Sequence, residues 1–349
     1  MKAAVLYQNK IINTEDVNPK LCGADDVRVK VMAAGICGSD IHKMQTQWKY
    51  PLPAVMGHEF SGVITEIGGN VKSLSIGQRV AGIPFLPCYE CFNCKTGKYS
   101  LCEHYQMLGS HFFGAFAENV VLNANNVVPI DDLDFEEAAM LEPLAIALHA
   151  TLGIQPQLGD TAVIFGMGVI GMLTAQCLIT NGVTTVIAVD ISDKKLSFAK
   201  SLGCHYTLNP IKEDLKGRIN EITHGIGADI VMECAGSRVT QEQCLLVSRK
   251  GGKIGYVGIA YSDVLLHEEA FENIFRRELI LKGFWNSYSA PFPGKAWTTA
   301  IELIRQQRIK LKPLISHRYP LAETKEAFDM ILSGQHDYNK VLILPYMEK

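Results

Sequence analysis

At 349 residues the chain is too long for one hydrophobic core and is sized for two domains, and its 48% hydrophobic and 20% charged residues are ordinary for a globular enzyme-sized protein. A formal net charge of -3 without any block of basic residues argues against a nucleic-acid or membrane-surface partner, leaving a small polar substrate as the expectation. The opening residues carry no signal-like apolar run and no later run is long enough to span a bilayer, so a cytoplasmic location is expected.

In chain order, Asp26–Val31 alternates polar and apolar side chains, as a half-buried antiparallel strand does. Gly35-Ile-Cys37-Gly-Ser39-Asp-Ile-His42 and Gly57-His58-Glu59 then bring a thiolate, an imidazole and a carboxylate into one short region, and Glu142 adds a second carboxylate further on. Cys37, His58, Glu59 and Glu142 form a ligand pool for zinc. With Cys37 ionised, His58 neutral and one carboxylate bound, the site is electrically neutral and keeps a position open, as Lewis-acid chemistry requires.

Cys88, Cys91, Cys94 and Cys102 follow within fifteen residues, among glycine, lysine and asparagine. Four thiolates at that spacing can close a tetrahedron around a second zinc and leave it no open position, so this metal is structural. The chain is expected to carry two zinc ions. Cys22, Cys177, Cys204, Cys234 and Cys244 are read as ordinary thiols of a reducing compartment.

Further along, Thr161–Phe165 reads as a buried parallel strand that runs into Gly166-Met-Gly168-Val169-Ile170-Gly171 and an apolar helix to about Thr180. Gly166 suits a tight turn, Gly168 a close approach to a pyrophosphate, and Gly171 the packing of helix on strand. The next strand, Thr185–Val189, ends at Asp190, nineteen residues after Gly171, where a ribose-binding acid belongs; the alternative is an acid capping the helix that begins near Ser192. As a ribose acid, Asp190 favours NAD over NADP. Strands at Asp229–Glu233, Lys253–Val257 and Leu279–Lys282 alternate with helical stretches, as a doubly wound sheet requires. The domains are placed at 1–148, 149–286 and 287–349, the last returning to the first, with nicotinamide and the open zinc expected to meet in the cleft.

The stretch Gly57-His58-Glu59-x-x-Gly62 with Gly68 and Val71, together with the four-cysteine lobe, resembles the medium-chain zinc alcohol dehydrogenases over essentially the whole chain. That resemblance implies a doubly wound parallel Rossmann sheet plus a largely β, GroES-like catalytic domain. It makes Cys37 and His58 catalytic-zinc ligands, Glu59 a ligand or outer partner, Ser39 and His42 a proton relay, and Lys195 a further ribose contact. It also implies a homodimer or homotetramer. Simple alcohol dehydrogenases of the family carry a cysteine where this chain has Glu142, and the polyol dehydrogenases a glutamate, which turns the expected substrate towards polyols. Gly283–Gly294 and Leu314–Arg318 are similar to segments of bacterial galactitol-1-phosphate 5-dehydrogenases. Asn286 and Tyr288 would offer hydrogen bonds to a hydroxyl-rich substrate. For a phosphate end the candidates are Lys43, Lys49, His111 and Lys295, none at a diagnostic spacing. Gly114-Ala115-Phe116-Ala117-Glu118 departs from the family's more usual Gly-Gly-Phe-Ala-Glu, and His111-Phe112 stands where an arginine pair can occur, which puts phosphate recognition in question.

Overall fold

The protein is described by a computed structural model covering residues 1–7, 11–46 and 48–347. It comprises two compact units. One holds Met1–Glu142, Tyr288–Arg305 and Leu311–Lys349; the other holds Pro143–Ser287 and Gln306–Lys310. The division after Glu142 falls a few residues before the boundary read from sequence, and Gln306–Lys310 joins the second unit although it had been placed with the first. The physical reason is local: Gln176 pins this segment to its own unit by accepting from Lys310 N–H and donating to Lys310 O.

The first unit is built on an antiparallel-dominated sheet. Its long central strand, Asp26–Gly35, pairs with Glu59–Ile67 on one side and Lys340–Leu344 on the other, and with Asn119–Asn123 along its first half. Val27, Val29 and Val31 alternate inwards and are fully buried, which gives the strand its register against the core of Val55, Phe60, Ile64, Phe116 and Phe328. Gly35 and Gly62 are small for a reason: a Cβ at Gly62 would stand 2.0 Å from Lys30 O. The last strand enters from the C-terminal end of the chain and pairs Leu342 with Gly35, next to the segment carrying Cys37.

The second unit is a six-stranded, wholly parallel sheet in the order Tyr206–Leu208, Thr185–Val189, Thr161–Phe165, Ala228–Glu233, Ser248–Tyr256, Ile280–Gly283. Chain order reverses beside Thr161–Phe165, which is the switch point of a doubly wound sheet. The central strands are continuous apolar runs because helices cover both faces. Thr161–Phe165 and Thr185–Val189 match their expected spans, Lys253–Val257 lies within the longer Ser248–Tyr256 strand save for its last residue, and Ile280–Gly283 begins one residue late.

Candidate metal and dinucleotide sites

Cys37 ends the turn after Asp26–Gly35 and stands at the N-cap of the Gly38–Gln45 helix. Asp40, in the first turn of that helix, accepts from Cys37 N–H at 3.2 Å, one half of a capping box that holds the thiol at the helix mouth. His58 and Glu59 lead into the strand that pairs with Asp26–Gly35, and Gly35 lies directly across from Glu59. Sheet register therefore brings Cys37, His58 and Glu59 together: one ligand atom of each lies within 4.8 Å of the others, with His58 and Glu59 buried. That donor set of thiolate, imidazole and carboxylate fits zinc.

Four further ionisable groups, Asp40, Lys43, Lys340 and Glu142, lie around the cluster. Asp40 Oδ1 lies 3.5 Å from His58 Nδ1 and 3.4 Å from Lys43 Nζ. Burial alone would raise the Asp40 pKa, but His58, Lys43 and the Cys37 amide outweigh it and hold the carboxyl well below its usual range. Burial also works against a charged His58, yet Asp40 and Cys37 raise it in the metal-free protein. Lys340 is buried and donates to Glu59 Oε2 at 2.5 Å and to Ile36 O at 3.0 Å. Glu142 is buried in the first turn of the Leu141–Ile154 helix, outside the close trio. Burial pushes its carboxyl up to about 7, with His58 opposing and Glu59 adding to the rise.

The four cysteines of the lobe also converge, with all sulfurs inside 4.8 Å. A zinc tetrahedron with arms of about 2.3 Å has edges of about 3.8 Å, and Cys88 Sγ and Cys94 Sγ are 3.9 Å apart. Cys88 N–H donates to Cys102 Sγ and Cys91 N–H to Cys88 Sγ, the outer hydrogen bonding that ligating thiolates require. Backbone amides near Glu103 and Cys94 lower the Cys91 thiol to about 6. Ser100 anchors the lobe: its Oγ accepts from Tyr288 N–H at 2.7 Å and donates to Tyr288 O at 3.0 Å.

Residues 23–132 match the model of the alcohol dehydrogenase GroES-like domain, and residues 169–306 that of the zinc-binding dehydrogenase. The chain is 34% identical over 350 residues to galactitol 1-phosphate 5-dehydrogenase of Escherichia coli (strain K12), covering 99% of this chain and 100% of that protein. It is 33% identical to the sorbitol dehydrogenase of Halalkalibacterium halodurans, covering 93% of this chain and 92% of that one. The chain belongs to the zinc-dependent medium-chain alcohol dehydrogenase family. A zinc-binding dehydrogenase from Sinorhizobium meliloti 1021, solved bound to NADP, has the same fold as this dehydrogenase at a TM-score of 0.90 and 32% identity, covering 99% of each chain.

In the dehydrogenase's parallel sheet, Thr161–Phe165 runs into Gly166, whose φ of +88° an L side chain rarely adopts. Gly168 is the N-cap of the Val169–Thr180 helix, and a Cβ at Gly171 would stand 1.8 Å from Gly166 O. Val169 and Ile170 open that helix, and the free amides of a helix N-terminus are donors of the kind that suit an anion. Asp190 is not the helix cap; Ser192 is, accepting from Lys195 N–H in the helix's first turn. Asp190 instead accepts from Met167 N–H at 2.7 Å and Ser192 N–H at 2.8 Å, tying the glycine turn to the end of the next strand.

Ser39 and His42 share the Gly38–Gln45 helix with the Asp40 bridge. Burial, then the charge of Lys49, lowers the His42 pKa. The substrate candidates do not form one group. Lys43, offered for a phosphate, instead donates to Asp40 and to Gly109 O, because the buried Asp40 carboxylate needs a counter-charge. Lys49 and Lys295 are exposed, and the exposed His111 accepts from Met107 N–H through Nδ1. Tyr288 is buried between Phe85 and Trp297, with ring centroids 4.6 and 5.9 Å away. Its hydroxyl has no hydrogen-bond partner among the described residues, and neither has the Asn286 amide nitrogen in the other unit. Asp40 and Lys340 are functional neighbours that sequence reasoning missed. A Cys-x-x-Asp capping pattern could have flagged Asp40; no local pattern marks Lys340.

Proposed function

We propose that this zinc dehydrogenase oxidises a secondary hydroxyl of a polyol phosphate, galactitol 1-phosphate to tagatose 6-phosphate, and passes the hydride to NAD. The observation that carries the reading is the Cys37–His58–Glu59 trio, its imidazole and carboxylate buried, with Glu142 in place of a second thiol. Cys37 and His58 would hold the catalytic zinc, with Glu142 or Glu59 supplying a carboxylate, and the four-cysteine lobe would hold the structural ion. When bound, zinc would supply Lewis acidity towards a substrate hydroxyl and NAD would supply a hydride acceptor. Asp40 Oδ1 faces His58 Nδ1 at 3.5 Å, which would orient the ring and leave Nε2 for the metal. Ser39 takes the hydroxyl proton because its own hydroxyl both donates and accepts, and His42 passes it outward. The glycine turn and Val169–Ile170 amides would hold the pyrophosphate of the cofactor; Asp190 and Lys195 would hold its adenosine ribose, and the Asp190 charge would disfavour a 2′-phosphate.

The Escherichia coli relative supports the phosphorylated substrate. A free polyol such as sorbitol is the second reading, favoured by the capture of Lys43 on Asp40 and Gly109, which removes one phosphate candidate. 2,3-Butanediol and L-threonine complete the comparison set. Initial rates of NAD⁺ reduction with each of these compounds and galactitol 1-phosphate, before and after chelation, test the reading. The expected result is a chelator-sensitive preference for galactitol 1-phosphate. Preference for a free polyol, the diol or threonine refutes the substrate; turnover that survives complete zinc removal refutes the metal's role. We further propose a cytoplasmic homodimer or homotetramer, which light scattering at low concentration tests.

A further inference from the structure

Glu233 ends the strand that pairs with Thr161–Phe165, at the edge of the sheet where the glycine turn lies, and its side chain is wholly buried. A carboxylate withdrawn from water needs partners for its charge, and this one draws them from the loop that follows it. Its Oε1 accepts from Ala235 N–H and Gly236 N–H at 3.0 Å and from the Thr240 hydroxyl at 2.7 Å, and its Oε2 accepts from Gly236 N–H at 3.2 Å. Thr240 sits in the first turn of the Arg238–Val247 helix, so the loop is held at both ends. Burial raises the Glu233 pKa, and Thr240 with the amides of Ala235, Gly236 and Ser237 opposes the rise. The backbone oxygen of Glu233 accepts in turn from Val257 N–H and Gly258 N–H, both at 2.9 Å, just where the neighbouring strand Ser248–Tyr256 ends. One residue thus joins the ends of two adjacent strands. They meet closely: a Cβ at Gly258 would stand 2.2 Å from Gly236 N and 2.5 Å from Glu233 Oε2.

Strand order says which part of the cofactor this junction serves. Each half of a doubly wound sheet receives one mononucleotide, and the dinucleotide crosses at the switch point. Thr185–Val189, which leads to Asp190, belongs to one half; Ala228–Glu233 and Ser248–Tyr256 belong to the other. With the adenosine at Asp190, the Gly236–Gly258 junction falls on the nicotinamide side. Ala235 also packs against the glycine turn, since a Cβ at Gly166 would stand 2.7 Å from Ala235 Cα, but that contact has its own support in the 2.8 Å bond from Cys234 N–H to Phe165 O. What depends on the carboxylate is the next step, Gly236 against Gly258. The inference rests on the dinucleotide reading of this unit. We propose that Glu233 is a positioning residue for the nicotinamide half of the cofactor, holding the Gly236 and Gly258 backbones together at the rim of the crevice. Loss of its charge leaves three converging donors with a weaker acceptor, and the loop relaxes away from Gly258.

The test compares NADH with ADP-ribose, which keeps the adenosine, the pyrophosphate and the second ribose but lacks the nicotinamide, by titration calorimetry on the full-length enzyme. Glu233→Gln keeps the shape of the side chain and removes its charge and one of its two acceptor oxygens. The NADH dissociation constant should then rise about tenfold while that of ADP-ribose changes by less than about twofold. General loosening of the unit would weaken both ligands alike, so the difference between them separates positioning from damage. Thr240→Val removes one donor to Glu233 at nearly constant volume and should weaken NADH selectively by a smaller factor. Thr240→Ser keeps the hydroxyl and should bind NADH as the wild type does, and this pair decides the matter where Glu233→Gln does not fold. Equal weakening of the two ligands overturns the inference. So does unchanged NADH binding in Glu233→Gln, or in Thr240→Val where Glu233→Gln does not fold, and so does a Thr240→Ser as weak as Thr240→Val. Wild-type protein that binds neither ligand would sink the dinucleotide reading itself, a failure distinct from the others.

Discussion

Asp190 is where internal and ligand-binding roles can be separated by measurement. Its two carboxylate oxygens accept from Met167 N–H at 2.7 Å and Ser192 N–H at 2.8 Å, and Met167 lies inside the glycine turn proposed to receive the pyrophosphate. Asp190→Asn keeps the shape and one acceptor oxygen, but the new amide nitrogen must face one of the two backbone donors. A hydrogen bond to a charged group contributes about 1.5–3 kcal/mol, and at about 1.4 kcal/mol per tenfold that corresponds to roughly 10-fold to 150-fold in a binding constant. If the same carboxylate receives the ribose hydroxyls, the loss falls on NAD. NADH fluorescence titration should then show its dissociation constant rising by about that factor. NADPH, relieved of repulsion between Asp190 and a 2′-phosphate, should bind no worse or better than before. Urea unfolding on the same variant measures how much of the loss is internal. Equal weakening of both cofactors, with a stability loss of about 1.5–3 kcal/mol, would mean that Asp190 is only a tie between turn and strand and would refute its role in cofactor choice.

Asp40→Asn removes the charge that faces His58 and Lys43 while leaving an acceptor for Cys37 N–H; zinc affinity by chelator competition should fall roughly 10-fold to 100-fold, and unchanged affinity would remove Asp40 from the metal's support. Ser100→Ala leaves the buried Tyr288 N–H without its acceptor, which should lower unfolding free energy by about 1–3 kcal/mol and speed zinc loss from the four-cysteine lobe; wild-type stability would contradict the anchoring role. Glu142 in the metal-free protein keeps its proton up to about 7, whereas the unfolded chain gives it up near 4.5. Its share of stability is therefore present below about 4.5 and lost as pH rises to about 7, a loss of about 3 kcal/mol. Metal-free Glu142→Gln should show a correspondingly flatter stability–pH curve, and an unaltered slope would show that other groups set it.

What the amino-acid order determined on its own is what is compact along the chain. Cys88, Cys91, Cys94 and Cys102 could be read as one metal lobe because all four ligands lie within fifteen residues, and a short loop has few ways to place them. The Thr161–Phe165 strand, the glycine turn and the Val169–Thr180 helix were readable together because each follows the last without a break, and backbone sterics at Gly166 and Gly171 allow little else. Asp190 was found by spacing, but its double hold on Met167 and Ser192 was not, since residue type does not reveal which donors a carboxylate will meet. The Cys37–His58–Glu59 trio sits between these cases. Its members were visible as residue types, while their meeting depends on the pairing of Glu59–Ile67 with Asp26–Gly35. Lys43 could be named from sequence as a candidate for a phosphate end, but its pairing with Asp40 could not be seen, because Asp40 is buried only once the helix docks. Lys340 was invisible altogether: it lies 281 residues from Glu59, and only the return of the last strand to the first sheet brings the two together. Hydrophobic periodicity specifies which face of a strand is buried; which distant charge must then share that buried space is decided by tertiary pairing, where the cost of an unpaired charge selects the partner.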